Sequence, residues 1–116
     1  MEIYQLAREM SAIAWEIYKV LKPEIRFKIG GQFIESADSV GANIAEGYGR
    51  FHYLEKVKFY HNSRGSLYET IHWLELLKER DLIDLSLFNS FKNKSTQLSP
   101  KLNACIKSNL EVKYNK

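Results

Sequence analysis

The chain has 116 residues, 45% hydrophobic, 27% charged and 13% aromatic, a size and balance that fit a single globular domain spanning 1–116 and exclude a disordered chain. Two prolines and six glycines exclude collagen-like sequence and speak against a turn-rich β sandwich. The one cysteine, Cys105, cannot close an internal disulfide, no segment reads as a secretory leader, and no apolar run nears the roughly 20 residues that span a bilayer, so no membrane role and a cytoplasmic location are expected.

The net charge of +3 is unevenly spread: from Leu85 onward six lysines face only Glu111, so that segment carries +5 and the rest of the chain −2. Four stretches have helical periodicity and none alternates like a strand. In the first, Ile3, Leu6, Ala7, Met10, Ile13, Ala14, Ile17 and Leu21 follow steps of three and four, and Pro23 ends the helix by forcing its predecessor out of the α region. A connector with adjacent Gly30 and Gly31 leads to a second helix over about Gly31–Glu46, packed through Ile34, Ala37, Val40 or Gly41, and Ile44. Gly47 and Gly49 are expected to free the backbone for a helix end and tight turn.

The third helix, about His52–Lys78, carries two stripes: Val57, Tyr60, Leu67, Ile71, Leu74, and Phe59, Ser63, Ser66, Thr70, Trp73, Leu77. Asp84 or Ser86 can cap the last helix, whose apolar positions are Phe88, Phe91, Leu98, Leu102, Cys105 and Val112. Pro100 should kink or split it near Ser99, at a cost of about 3 kcal/mol in a regular interior. Four helices on short links give an all-α, antiparallel up-down-up-down four-helix bundle. Helices two and three should fold back about Gly49–Arg50, so that facing residue numbers sum to about 100, placing Glu35 beside Arg64.

Catalytic and cofactor chemistry finds little support. Glu69-Thr-Ile-His72 has the Glu-x-x-His spacing of di-metal carboxylate bundles, but those sites need a second copy of the pair and further inward glutamates, so an ordinary Glu–His pair is the better reading. Cys105 reads as a small buried hydrophobe. No nucleophile, base and oxyanion hole assemble, so the chain reads as a non-enzyme with no metal and no cofactor. Lys92, Lys94, Lys101, Lys107 and Lys113 are candidate contacts to a nucleic-acid backbone, against the plainer reading of a solvated helix face.

The segment from Gln32 to Glu69 changes these odds. Gln32, Ala37-x-Ser39, Asn43-Ile-Ala-Glu46-Gly47-x-Gly49-Arg50, and later Gly65-Ser66-x-x-Glu69 form a pattern that resembles the four-helix bundle proteins encoded in intervening sequences of bacterial 23S ribosomal RNA genes. The accessory variability determinant of diversity-generating retroelements is similar to that family. The sequence departs from the pattern in the Phe33-Ile34-Glu35 that follows Gln32, in Gly41 where proline is common, and in Pro100. The resemblance implies a homopentamer without catalytic activity. It also implies RNA or DNA and a reverse transcriptase or ribosome-related protein as partners. On the residues themselves, Glu46 and Arg50 are spaced for an ion pair one turn apart and Gly65-Ser66 for close helix contact, while the place of Glu69 in the family pattern implies a packing or interface role. Independently of the resemblance, Trp15, Tyr18, Phe59 and Trp73 exceed what one seam of a small bundle can bury, so self-association is expected.

Overall fold

A computed structural model describes the backbone of residues 1–114 and the side chains of 1–112. The elements are α1 (Glu2–Val20), a single turn α2 (Pro23–Ile25) followed by a kinked connector (Arg26–Gly30) whose backbone is non-helical at Lys28 (φ −118°, ψ −115°), α3 (Gly31–Gly49), α4 (Tyr53–Glu79) and α5 (Leu85–Tyr114); no strand forms among the described residues. The four long helices pack in a ring, α1 against α3 and α5, α4 against α3 and α5. Facing pairs run in opposite directions at every seam: Ala7 with Gly41 and Ser11 with Ala37, Gly47 with Tyr60 and Ser36 with Thr70, Glu75 with Lys92 and Arg64 with Asn103, Glu2 with Lys101 and Glu9 with Lys94. The bundle is therefore antiparallel throughout, and elongated at 52 × 23 × 20 Å.

The first helix follows its stripe. Ile3, Ala7, Met10, Ala14, Ile17 and Leu21 are buried, and Leu6 and Ile13 flank them. Lys22 is extended at ψ 148°, as the residue before Pro23 must be. Arg26 then reaches back to the last turn of α1, donating from Nε to Tyr18 O at 3.2 Å, which also accepts from the Leu21 amide, and from Nη2 to Lys19 O at 2.6 Å. Gly30 closes the connector because a Cβ there would stand 2.8 Å from Ile25 O and from Leu21 Cδ1.

Three expectations need correction. Gly47 and Gly49 do not make the turn: α3 continues through both, and among the described residues no glycine has a positive φ. The reversal is made instead by Arg50–His52, which are extended at Arg50 (ψ 149°) and His52 (ψ 139°). The α3–α4 register consequently sums to 103–107 rather than 100, as Val40–Ser63, Ser39–Ser66, Ser36–Thr70 and Gly47–Tyr60 show. Glu35 is exposed, and Arg64 bonds to Asn103 and His61 instead.

Pro100 does not split the last helix, which runs unbroken past it. Leu98 and Leu102, both fully buried, clamp the helix on either side. Burying two leucines is worth about 2 kcal/mol each, enough to offset the missing bond. Within α5, Ile106 takes the core position expected of Cys105, which is only partly buried. On α3 the fully buried Phe33, its ring 5.5 Å from that of Phe91, is a core residue that the small-residue stripe hid.

The α4–α5 corner is specified locally. Asp81 has φ 56°, and the amides of Asp81 and Leu82 return to Lys78 O and Leu77 O, closing α4 with a left-handed cap. Asp84 Oδ1 accepts from the Leu87 amide at 2.9 Å and starts α5. Two substitutions should raise stability in urea unfolding: Pro100→Ala by about 1–3 kcal/mol through the restored bond, and Asp81→Gly by about 0.5–1 kcal/mol through relief of the left-handed strain. An unchanged midpoint in Pro100→Ala would mean that the helix has bent to absorb the proline.

Candidate functional site

The sequence pattern from Gln32 to Glu69 falls on the α3–α4 hairpin, and its polar members build the seam between the two helices. Ser36 Oγ lies 2.9 Å from Thr70 Oγ1, Ser66 Oγ donates to Ser39 Oγ at 3.1 Å, and Ser63 Oγ donates to Val40 O at 2.8 Å. Asn43 Nδ2 extends the chain, donating to Ser39 O at 2.9 Å and Ser39 Oγ at 3.0 Å. Small hydroxyl side chains let the backbones approach while satisfying each other in the buried seam. Gly47 belongs here for the same reason: a Cβ would meet the Tyr60 ring at 2.7 Å.

Arg50 pins the end of the hairpin. Its guanidinium pairs with Glu46 at 3.3 Å and Glu55 at 4.0 Å, and sits 4.7 Å from the Phe59 ring centroid. The other members point outward. Gly49, Gly65 and Glu69 are exposed, and a Cβ at Gly49 or Gly65 would meet nothing within 4 Å. Gly65 thus makes no close helix contact inside this chain. Glu69 and His72 are both exposed, His72 lying edge-on to Trp73 at 4.8 Å. No group of three His, Cys, Asp or Glu side chains gathers among the described residues.

The lysines of α5 do not form one cationic surface. Lys94 pairs with Glu9 and Lys101 with Glu2 across the α1 seam, Lys92 pairs with Glu75 across the α4 seam, and Lys107 pairs with Glu111 on its own helix at 4.0 Å. The Lys113 side chain lies outside the described ones. Each pair is solvent-exposed and worth at most about 1 kcal/mol, but a carboxylate beside each amine cancels the long-range field. Sequence could not reveal this, because Glu2, Glu9 and Glu75 are remote along the chain.

What the surface does offer is apolar. Tyr4, Ala12, Gly41, Ala42 and Ala45, with Arg8, Ser11 and Asp38, line an open groove along α1 and α3, continued by Met1 and Tyr48. Trp15, 51% exposed, extends it along α1, its outer ring stacked on Tyr18 at 5.5 Å. A second set, Tyr48, Phe51 and Leu54, stands at the α3–α4 turn. Tyr48, Phe51 and Phe27 escaped the sequence reading because they fit no helical stripe; their only signal was that misfit.

Cys105 lies beneath the hairpin, bonded to Tyr60 and 3.7 Å from Asn109 Nδ2. Burial pushes its thiol pKa up, against the Tyr60 hydrogen bond and the Lys56 charge that pull it down. Burial likewise drives the Tyr60 phenol from 10.0 up to about 12, with the Cys105 charge adding to the effect. Neither group is set up as a nucleophile or base at neutral pH.

The family described as 23S rRNA-intervening sequence protein matches residues 1–104. The chain belongs to that family. Among solved structures, a protein of unknown function from the S23 ribosomal protein family of Bacteroides thetaiotaomicron VPI-5482 superposes with a TM-score of 0.84 at 26% identity, over 90% of this chain and 98% of that one. Comparison with curated protein sequences returns no match.

The packing predicts opposite effects for two glycines of the pattern. Gly47→Ala should destabilise by about 1–3 kcal/mol through its clash with Tyr60, whereas Gly65→Ala should stabilise the chain by up to about 1 kcal/mol through helix propensity; thermal unfolding distinguishes them. In alkaline titration Tyr60 should ionise well above the ordinary phenol range, at about 12. Its unfolded pKa of 10.0 lies below its folded value of about 12, so its contribution to stability is intact below pH 10.0 and lost as pH rises towards 12. A Tyr60→Phe variant should lose that part of the alkaline dependence.

Proposed function

We propose that this member of the 23S rRNA-intervening sequence protein family is a non-enzymatic, self-associating helical scaffold whose copies meet along the α1–α3 face. One observation carries the reading: the open groove from Met1 and Tyr48 to Ala12, prolonged by Trp15, is lined more by apolar than by polar surface, with Arg8 and Asp38 as its charged members, and includes small residues that let another helix come close. Soluble monomers rarely leave such a strip bare. Tyr68, 59% exposed on α4 beside the open Gly65, supplies a different apolar face on the far side of the hairpin. Two unlike faces suit a ring closed by one repeated contact, and five is the number of copies that the family resemblance implies. A cytoplasmic setting suits a chain whose one cysteine is a free thiol.

A second reading adds association with RNA or DNA, favoured by the family's description and by the cationic, aromatic turn at the end of the hairpin. In it the α5 lysines are minor contributors, since each described one already faces a carboxylate. A ribosome-related protein or a reverse transcriptase would then be recruited through the assembled ring.

Light scattering tests the first reading. The wild-type chain should have about five times the 13.6 kDa mass of one copy, and Trp15→Glu or Ala42→Glu should shift it to the monomer with helical circular dichroism intact. A wild-type mass of 13.6 kDa overturns self-association, and a clean dimer overturns the ring.

A further inference from the structure

The α3–α4 turn is the most sharply built exposed feature of the molecule. Three residues reverse the chain, with Arg50 N bonded back to Gly47 O at 3.2 Å and Lys56 N to His52 O at 3.0 Å. Phe51 at the apex is 88% exposed. Among the described residues its ring pairs with that of His52, edge to face at 5.3 Å and 86°, which leaves a flat face bare. Tyr48, 66% exposed, stands one turn of helix before it.

The base of this turn is braced. Arg50 ties the base of the turn to Glu46, Glu55 and the Phe59 ring, and Lys56 Nζ donates to the terminal carbonyls Gly47 O and Tyr48 O at 3.3 and 2.9 Å. The two nearby carboxylates are thereby engaged by Arg50. Lys58 is exposed and pairs with no carboxylate among the described residues. Among those residues Phe51 offers a bare ring face and Lys58 an unpaired cation seven residues on, while Lys56 Nζ lies over the Tyr48 ring, 5.8 Å from its centroid.

We infer that this turn is a stacking platform for unpaired nucleic acid, Phe51 taking a base face and Lys58, with Lys56, taking the flanking phosphates. The inference rests on the nucleic-acid reading above and moves its site from α5 to the hairpin tip. An apolar occupant, whether lipid or another copy of the chain, would cover Phe51 at the expense of desolvating Lys56 and Lys58. A nucleotide strand satisfies ring and cations together, and only an unpaired strand offers its base faces. With two cations on an unpaired strand, log K should fall with log salt at a slope of about −1.4, shallower than five lysine contacts would give.

The test is fluorescence anisotropy of a labelled oligo(U) with the full chain at low salt. Phe51→Ala should weaken binding about ten-fold or more, Phe51→Trp should restore it, and a duplex of equal length should compete poorly. Phe27→Ala is the control, because Phe27 is as exposed, at 89%, but lies at the other end of α3. It should leave binding unchanged, as should the triple variant Lys94→Ala, Lys101→Ala, Lys107→Ala to within about two-fold. Undiminished binding by Phe51→Ala, or equal losses in Phe51→Ala and Phe27→Ala, overturns the platform. Loss in the triple lysine variant alone overturns it too, while sparing the nucleic-acid reading. No wild-type binding overturns both. So does co-sedimentation with phosphatidylglycerol vesicles, or a changed mass of Phe51→Ala in light scattering, when oligo(U) is ignored, because the turn then serves a membrane or a second copy.

Discussion

The hydroxyl seam between α3 and α4 is the constraint on which the rest of the molecule depends. Serine and threonine oxygens at Ser36, Ser39, Ser63, Ser66 and Thr70 meet each other or a backbone carbonyl across the two helices. Each such bond adds only about 1 kcal/mol net, but a buried hydroxyl left unpaired costs about 1–3 kcal/mol. A slip by one residue would break several bonds together. The seam therefore selects one register far more sharply than interchangeable leucines would. That register brings Gly47 against Tyr60, sets the reversal at Arg50–His52, and lifts Phe51 clear of the bundle.

Much of the fold is legible in the sequence because it is local. The α1 stripe, the break before Pro23 and the Asp84 cap depend on residues a few positions apart, and physical rules at that range are reliable. What misled was chemistry with two explanations. A glycine at position 47 serves a turn or a close approach equally well, and only the position of Tyr60 decides. Pro100 breaks a helix standing alone but not one held by Leu98 and Leu102. The hairpin midpoint followed from the glycine error, and Glu35–Arg64 followed from the midpoint.

The candidate sites were harder to read, for a related reason. Charge counted along the sequence marked α5 as basic, yet Lys92, Lys94 and Lys101 each meet a carboxylate supplied by another helix. Exposure told the opposite story about aromatics: Phe51 and Tyr48 carry no stripe and so looked unremarkable, but the fold sets them out on a braced support. The pattern residues thus divide in two. Asn43, Gly47 and Ser66 serve the interior of the hairpin, with Glu46 and Arg50 bracing its end, while Gly49, Gly65 and Glu69 face outward, where the proposed contacts between copies and with nucleic acid are made. In such an assembly each copy presents one turn, and repeated weak stacking sites gain from their shared tether.

The claim that the seam fixes the hairpin is tested most directly by a double-mutant cycle on Ser36 and Thr70, read by urea unfolding. Ser36→Ala and Thr70→Val should each destabilise by about 1–2 kcal/mol, and the double variant should cost less than the two together by about 0.5–1.5 kcal/mol. Either single variant already removes the 2.9 Å contact between the helices and leaves the other hydroxyl only the carbonyl of its own helix, Phe33 O for Ser36 and Ser66 O for Thr70. Additivity to within about 0.3 kcal/mol would show that the two hydroxyls do not depend on each other, and would contradict the account.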